Sequence, residues 1–519
     1  MILSSQGHRL GVLLAAVVVL TAAPTRAQLA DWPGIFEPLV VPSLNLTMDP
    51  ADWVTIQNDD TLSIEVPALF WADGESSILV AIRRKSADPL TAVGSFAKVS
   101  YKIDINELVS GQSWHGLKKL SLENGDDQDV VSEGMAWYLH RLASGPEGYA
   151  YGYNVGFGSW VTLTINGVDN GVYLSAEQVD KSFLQNRGLY TQNSTWLYKK
   201  SDLGPAEIKV GSPDSPTTTT LCYKPFDVSG SCSTPDSATL AATLPALVDM
   251  RGMLTEAAVD AFSKNGDAIF SKGKNFYYAD FAGGETRVHF PWDQDSVFPG
   301  SGTGGDIYAI QSDYGALLAV PEFRDLYTEI FNDLLCGPWS VASLTGVLDD
   351  LEAVLTPALA ADPNNQIGGS VAGHFQSLRD WMTDRHAELL SQLDTVSSCD
   401  FCQTDLGFAG PGSMVLSLCG ESLTQAGALA TVNLTGAAPS TTAFIPLGLI
   451  NAPTPLKGGI IVPIPWVVLI DAFSTNGSGQ LSIPVTATGS TLVTFYMQAV
   501  VNNSGTFEFS NALEVVFGI

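Results

Sequence analysis

Four oxygen-bearing side chains lie close together in the middle of the chain: Asp267, Asn275, Asp293 and Asp295. Asp267 and Asn275 precede an aromatic run, Phe276-Tyr277-Tyr278. After a glycine turn a second run, Arg287-Val288-His289-Phe290-Pro291-Trp292, leads into Asp293-Gln294-Asp295. Hard divalent cations take oxygen ligands and an attacking hydroxyl needs a positioned carboxylate, so this set suits a site that holds a metal on a polyphosphate. Two acids at alternate positions of a strand repel unless a cation lies between them. The same residues also read as a hairpin whose Asp-Gln-Asp is a solvated turn and whose Asn-Gly-Asp is a capping loop.

The elements that must position these residues begin with short strand-like runs: Leu44–Leu46, Trp53–Ile56, Leu62–Val66, Pro67–Gly74, Ile78–Arg84, Ala97–Ile105 and Leu117–Leu122. They predict an antiparallel sheet. Val130, Val131, Met135, Leu139 and Leu142 recur at helical spacing after an Asp-rich turn, so Asp129 to Ala143 is expected to be a helix. Strands resume at Trp160–Ile165 and Val172–Glu177 around Asn166-Gly167, a strong hairpin signal. A helix starts near Val179. A Pro/Ser/Thr/Asp-rich insertion runs from Ser201 to Leu244, and further helices are expected at Ala246–Lys264, Pro321–Leu335, Leu348–Leu359 and Gly373–Leu393. One helix following a sheet that then resumes is the order of a kinase small lobe.

Several blocks carry a resemblance in order: Lys118-Lys119-Leu120-Ser121-Leu122-Glu123-Asn124 with Asp129 and its helix; Ile165-Asn166-Gly167 to Gly171-Val172-Tyr173 with Glu177; Val179-Asp180 and Phe183-Leu184; Leu197-Tyr198-Lys199; and the hairpin from Asn275 to Asp295. Together they resemble the spore-coat protein H (CotH) kinase-like family. The resemblance implies an α+β fold: an atypical, two-lobed protein-kinase-like domain over residues 28–397. It also implies transfer of the ATP γ-phosphoryl group to Ser or Thr with magnesium or manganese. Asp267 would then be the catalytic acid that orients the substrate hydroxyl, and Asn275, Asp293 and Asp295 would be the metal ligands. For the phosphates, Lys98 and Arg83 are the expected cations, ahead of Lys102 and Lys119; Glu133 would pair with that lysine and Glu177 would meet the nucleotide base. The Gly-x-Gly-x-x-Gly, His-Arg-Asp and Asp-Phe-Gly motifs of ordinary kinases are absent from the sequence.

Composition bounds the remaining readings. In 519 residues, 25 Lys and Arg stand against 54 Asp and Glu, a net charge of −29, so nucleic acid is excluded as a partner. Residues 1–27 read as a secretory signal peptide, because the apolar run from Leu10 to Ala23 is shorter than the roughly 20 residues a membrane span requires. No transmembrane anchor is expected. Location is then secreted or on a bacterial cell surface, with a secreted or surface protein as substrate. Six cysteines in an exported chain predict disulfides: Cys222 with Cys232, and pairings left open among Cys336, Cys399, Cys402 and Cys419. Cys399-x-x-Cys402 could instead be a redox pair or half a zinc site. Asn124–Asp129 is oxygen-rich enough for calcium but also reads as a helix N-cap. From residue 398 to 519 acids thin out, and short strands predict a small β-sandwich resembling a C-terminal module of exported bacterial proteins. The competing functional class is a non-catalytic secreted structural or adhesive protein with a kinase-like fold, binding calcium through these acids.

Overall fold

The computed structural model describes residues 32, 34–85, 98–125, 128–144, 154–201, 205–213, 215, 217, 223, 232–233, 235–283, 285–309, 312, 314–393, 401–489, 491–503 and 505–519. The signal-peptide expectation falls outside them, as do Cys222 and Cys399. The fold is α+β, and the described residues form two compact units. One comprises residues up to Phe331 together with Val341–Asp394; the other comprises Asn332–Ser340 and the residues beyond 400.

In the first unit, β1 (Ser43–Thr47), β2 (Val66–Ala72), β3 (Ile78–Arg84), β4 (Tyr101–Asp104), β5 (Lys119–Glu123), β6 (Gly158–Ile165) and β7 (Val168–Glu177) close into a barrel of order β1-β2-β3-β4-β5-β7-β6. Closure comes from β1, which pairs antiparallel with β2 and parallel with β6. The sequence predicted an antiparallel sheet; the structure adds one parallel pair, β1 with β6, which seals both edges. Alternation fixes the register. Val80 and Ile82, Tyr101 and Ile103, Leu120 and Leu122 point into the barrel core, so Arg83 with its partner Lys102, and Ser121 beyond, lie on the outer face. Trp53–Ile56, expected to be a strand, belongs instead to helix α1 (Pro50–Gln57). Asp49 caps it and a proline opens it, and only Trp53 and Ile56 are buried.

Helix α2 (Val130–Ala143) lies across β6 and β7. It comes so close that a Cβ on Gly134 would sit 2.2 Å from the Trp160 ring, while Trp160 Nε1 donates to Val130 O at 2.8 Å. Its N-cap is Asp129, which accepts from Val131 N and Ser132 N at 3.0 Å each. Asn124 is buried and bonded to Ser100 and to the Lys98 carbonyl. Both ends of the oxygen-rich stretch thus serve the fold, which supports the cap reading over calcium. After the short α3 (Lys181–Asn186), a second antiparallel sheet forms from β8 (Thr195–Lys200), β9 (Glu207–Val210), β10 (Phe276–Phe281) and β11 (Val288–Pro291), in order β11-β10-β8-β9. Helix α4 (Met250–Ser263) packs against α2 and β11. The hairpin β10–β11 is pinned by a buried bidentate pair, Arg287 to Asp280, at 2.7 and 2.8 Å. Helices α5 (Pro321–Leu335), α6 (Val341–Ala361) and α7 (Val371–Gln392) follow, with α6 and α7 packed together.

The second unit holds two antiparallel sheets, one of four strands and one of five, with an apolar core that includes Leu416, Leu434, Ile445, Val501 and Val515, and a separate two-stranded ribbon that pairs Thr454–Leu456 with Gly459–Ile461. Cys402 is bridged to Cys419, so it does not pair within Cys399-x-x-Cys402 as a redox motif would. Cys232 and Cys336 are also disulfide-bonded, and no described cysteine is free. Among the described residues no helix is long and apolar enough to cross a membrane.

Candidate functional site

The hairpin β10–β11 brings three of the sequence-identified residues together. Phe276 pairs with Pro291, so Asn275 and Trp292 form the next rung, and Trp292 N donates to Asn275 O at 3.2 Å. Asn275 and Asp293 both have left-handed backbones, with φ of 62° and 61°. For a non-glycine residue that costs about 1 to 2 kcal/mol, least for Asn and Asp. Strain of this kind collects where a side chain must be aimed. The side-chain amide nitrogen of Asn275 is buried and has no acceptor among the described residues.

Around Trp292, cations and acids from four elements converge. Lys85, just past β3, lies over the Trp292 ring at 4.9 Å from its centroid, and Lys199 of β8 lies 5.6 Å from it. Lys85 also contacts Glu123 at the end of β5. Burial would lower the Lys85 pKa, but Glu123 and Asp293, with a smaller contribution from Glu133, raise it above the ordinary lysine value. Glu133, in the first turn of α2, is pushed well above the carboxylate range, by burial first and then by Glu123, Asp295 and Asp293, against the opposing pull of Lys85. Four carboxylates thus share this volume with two ammoniums. A cation added there would relieve the repulsion, and that is the test a metal must pass. Among the described residues no group of three or more His, Cys, Asp or Glu could hold a metal by itself. A shell of one or two carboxylates plus an amide oxygen suits magnesium or manganese, which keep several water and substrate oxygens in their shells, better than calcium, which takes about six to eight oxygens in a larger shell.

Asp267 sits on the loop after α4. Its carboxylate forms ion pairs with Lys272 and Lys274, each 2.6 Å from a carboxylate oxygen. Burial would raise its pKa, but those two ammoniums hold it below the usual value. The loop is tied to the hairpin by buried polar groups. Asp267 N donates to Asn265 Oδ1 at 3.0 Å, Asn265 Nδ2 donates to Gln294 Oε1 at 3.1 Å, and Gly266 N donates to Ser296 O at 2.8 Å. Behind them lie Asp260, Glu256 and His140, all buried, with His140 Nε2 3.8 Å from Asp260 Oδ1.

The other expected residues are placed differently. Lys98 is 2% exposed and donates to Val172 O at 2.5 Å and to Asp362 Oδ2 at 3.3 Å, so its ammonium is spent on the end of α6. Glu177 is fully buried and accepts from Trp32, Phe157 and both terminal nitrogens of Arg187, which leaves no lone pair for a nucleotide base. Its neighbour Gln178 lies at the junction of the sheets, donating to Tyr277 Oη at 3.2 Å. Arg83 stays on the outer face of β3, 3.6 Å from Glu65. Sequence reasoning passed over Lys85, Lys199 and Glu123. The signal for Lys85 was the parity of β3: with Ile82 and Arg84 inside, the next outward residue after Arg83 is Lys85.

The family described as CotH kinase protein matches residues 92–389, more than half of the 519. That span contains Glu133, Lys199, Asp267, Asn275, Asp293 and Asp295, whereas Arg83 and Lys85 precede it. No curated protein matches the chain. The chain belongs to the CotH kinase protein family.

Proposed function

We propose that the protein is a two-lobed, kinase-like phosphotransferase that moves the γ-phosphoryl group of ATP to a Ser or Thr hydroxyl of a secreted or cell-surface protein. The observation that supports it most is the convergence of Lys85, Glu123, Glu133, Asp293 and Asp295 from the barrel, α2 and the hairpin. Phosphoryl transfer needs positioning and charge neutralisation more than covalent chemistry, and such a cluster supplies both. In this reading Lys85 takes the phosphate oxygens in place of Lys98, and Glu123 and Glu133 aim it. A magnesium or manganese ion, held by Asp293, Asp295 and the Asn275 amide oxygen, would neutralise phosphate charge. The acceptor oxygen bonds to the γ-phosphorus as the bond to the β–γ bridging oxygen breaks, and ADP leaves with that electron pair. Asp267, kept ionised by Lys272 and Lys274, accepts a hydrogen bond from the acceptor hydroxyl and orients it; the released proton passes through this carboxylate to water.

One observation favours a binding-only alternative: the Asp267 carboxylate already lies between two ammoniums. The two readings part in one experiment. ATP with magnesium or manganese should raise the melting temperature, and Asp293→Ala should abolish the rise. Asp267→Ala should keep the rise but lose the phosphate gained in intact mass. No rise with either metal overturns nucleotide binding, and a rise with no mass gain in the unaltered protein leaves the binding-only reading.

A further inference from the structure

Gln294 stands between the two acids at the end of the hairpin and is buried where they are not. Asp293 and Asp295 are partly exposed, whereas Gln294 is 1% exposed, as alternation along an extended run dictates. An apolar side chain would fill such a position without the cost of desolvating an amide. The amide is engaged instead. Gln294 Oε1 accepts from Asn265 Nδ2 at 3.1 Å, and Gln294 Nε2 donates to Trp292 O at 3.3 Å. Its side chain also hydrogen-bonds to Asp260 of α4 and to the His140 ring of α2. An amide has two N–H donors and two lone pairs, and four partners match that capacity. Asn265, 4% exposed, turns its Oδ1 to the Asp267 N–H at 3.0 Å, while its own backbone N–H donates to Asp260 O at 2.8 Å. One buried side chain thus joins α2, α4, the loop that carries Asp267 and the hairpin end that carries Asp293 and Asp295.

Backbone bonds hold the same two segments behind this point: Gly266 N donates to Ser296 O and Phe298 N to Ser263 O, both at 2.8 Å. Neither reaches Asp267. The Asp267 N–H is held by Asn265, and Asn265 by Gln294. We propose that Gln294 is a positioning residue for phosphoryl transfer, which through Asn265 sets the place of the Asp267 carboxylate relative to Asp293 and Asp295. It touches neither substrate nor metal. Reacting groups tolerate little misplacement, and an error of about 1 Å can cost about 10²-fold in rate. A buried amide bonded to both segments makes a shift of one carry the other with it. The effect on rate rests on the transferase reading; the bridge itself does not.

The full-length protein is compared with Gln294→Met, which keeps the length of the side chain and removes the amide, with Asn265→Ala, and with the double variant. At saturating ATP and magnesium each single variant should gain phosphate about tenfold or more slowly than the unaltered protein, while calorimetric affinity for ATP with magnesium stays within about threefold. A merely structural loss would not split the two. The double variant should be no slower than the slower single one, because both remove the same bridge. Losses that multiply overturn the proposal, as does an unchanged rate in Gln294→Met or an affinity that falls in step with the rate. If Gln294→Met does not fold, Gln294→Asn, which keeps the amide on a shorter stem, should show the same split. Hydrogen exchange reads the bridge without catalysis. The Asp267 amide should exchange about tenfold or more faster in Gln294→Met, with the amides of α4 unaffected, and unchanged exchange at Asp267 overturns the bridge. If the unaltered protein transfers no phosphate, the kinase reading falls and the Asp267 exchange rate alone decides the bridge.

Discussion

Lys85 and Lys98 are both withdrawn from water beside the same barrel, yet they are neutralised in different ways. Lys98 has one carboxylate, Asp362, which is itself 1% exposed, together with the Val172 carbonyl and the Tyr173 ring. Its charge is matched one for one, and burial, the largest influence, lowers its pKa. Lys85 faces Glu123, Asp293 and Glu133, which together overcome burial and raise its pKa. A closed, balanced pair ties elements together, here the end of α6 to the β7 turn, where Asp362 also accepts from Val172 N at 2.8 Å. An unbalanced cluster has unused capacity for a ligand. Burial alone does not separate the two; the surplus of one sign does.

Substitution of the two lysines would break the comparison most directly. Lys85→Met should lower phosphate transfer by about 10²-fold or more, the scale of losing one preorganised charge on the transferred group, and should lower the melting temperature less than Lys98→Met does, because Lys85 and Glu123 are only partly withdrawn from water whereas Lys98 and Asp362 are fully buried. The readout is the initial rate of mass gain. Lys98→Met should do the reverse. It leaves Asp362 buried and unpaired, which costs about 3 to 5 kcal/mol in urea unfolding, while the ATP-induced rise in melting temperature persists in the folded fraction. If Lys98→Met folded normally and lost nucleotide binding, the assignment of roles would have to be exchanged.

Sequence alternation made the barrel strands legible because one face of each is apolar, and Asn166-Gly167 marked its hairpin, with φ of 51° and 81° at the turn. Closure of the barrel was not legible, since it depends on β1 meeting β6, a long-range contact with no local signature. Trp53–Ile56 misled because a short helix burying two residues has too few apolar positions to show its period. At the site, Asn275 and Asp293 could be read because a hairpin brings neighbours in sequence together. The cation could not, because Arg83, Arg84, Lys85, Lys98, Lys102, Lys118 and Lys119 all fall between the start of β3 and the end of β5, and only the register tells which one meets the acids. Glu177 looked available because a single sequence does not show that Arg187, one helix later, closes on it.

A third buried group sharpens the contrast through pH. Burial pushes Asp260 up to about 7 against hydrogen bonds from Asn265 and Gln294, and Glu256 shifts in the same direction. Their neutral forms are favoured in the fold, so this contribution is full below the unfolded value of 3.8 and is lost as pH rises to about 7. His140 works the other way. Burial lowers it from 6.5 to about 3, so its contribution is lost as pH falls through that window. The two slopes oppose each other over the shared range. Asp260→Asn removes one of them, and urea midpoints of the variant should fall more steeply on acidification from pH 6.5 to 4 than those of the unaltered protein. Equal slopes would mean that Asp260 titrates normally in the fold.

The smallest effect is expected at Asp129, which joins the fold to the cluster. Its carboxylate caps α2 through Val131 N and Ser132 N, bonds Ser132 Oγ at 2.7 Å, and lies 3.1 Å from His374 Nε2 of α7. Asp129→Ala should cost about 1 kcal/mol, the usual value of an N-cap. Because Glu133 lies in the turn that frays first, nucleotide affinity should weaken along with stability. Asn caps as well as Asp, so Asp129→Asn should restore most of both. If Asn fails where Asp succeeds, the charge facing His374, rather than the cap, holds the first turn of α2 in place, and the aim of Glu133 at Lys85 then depends on α7.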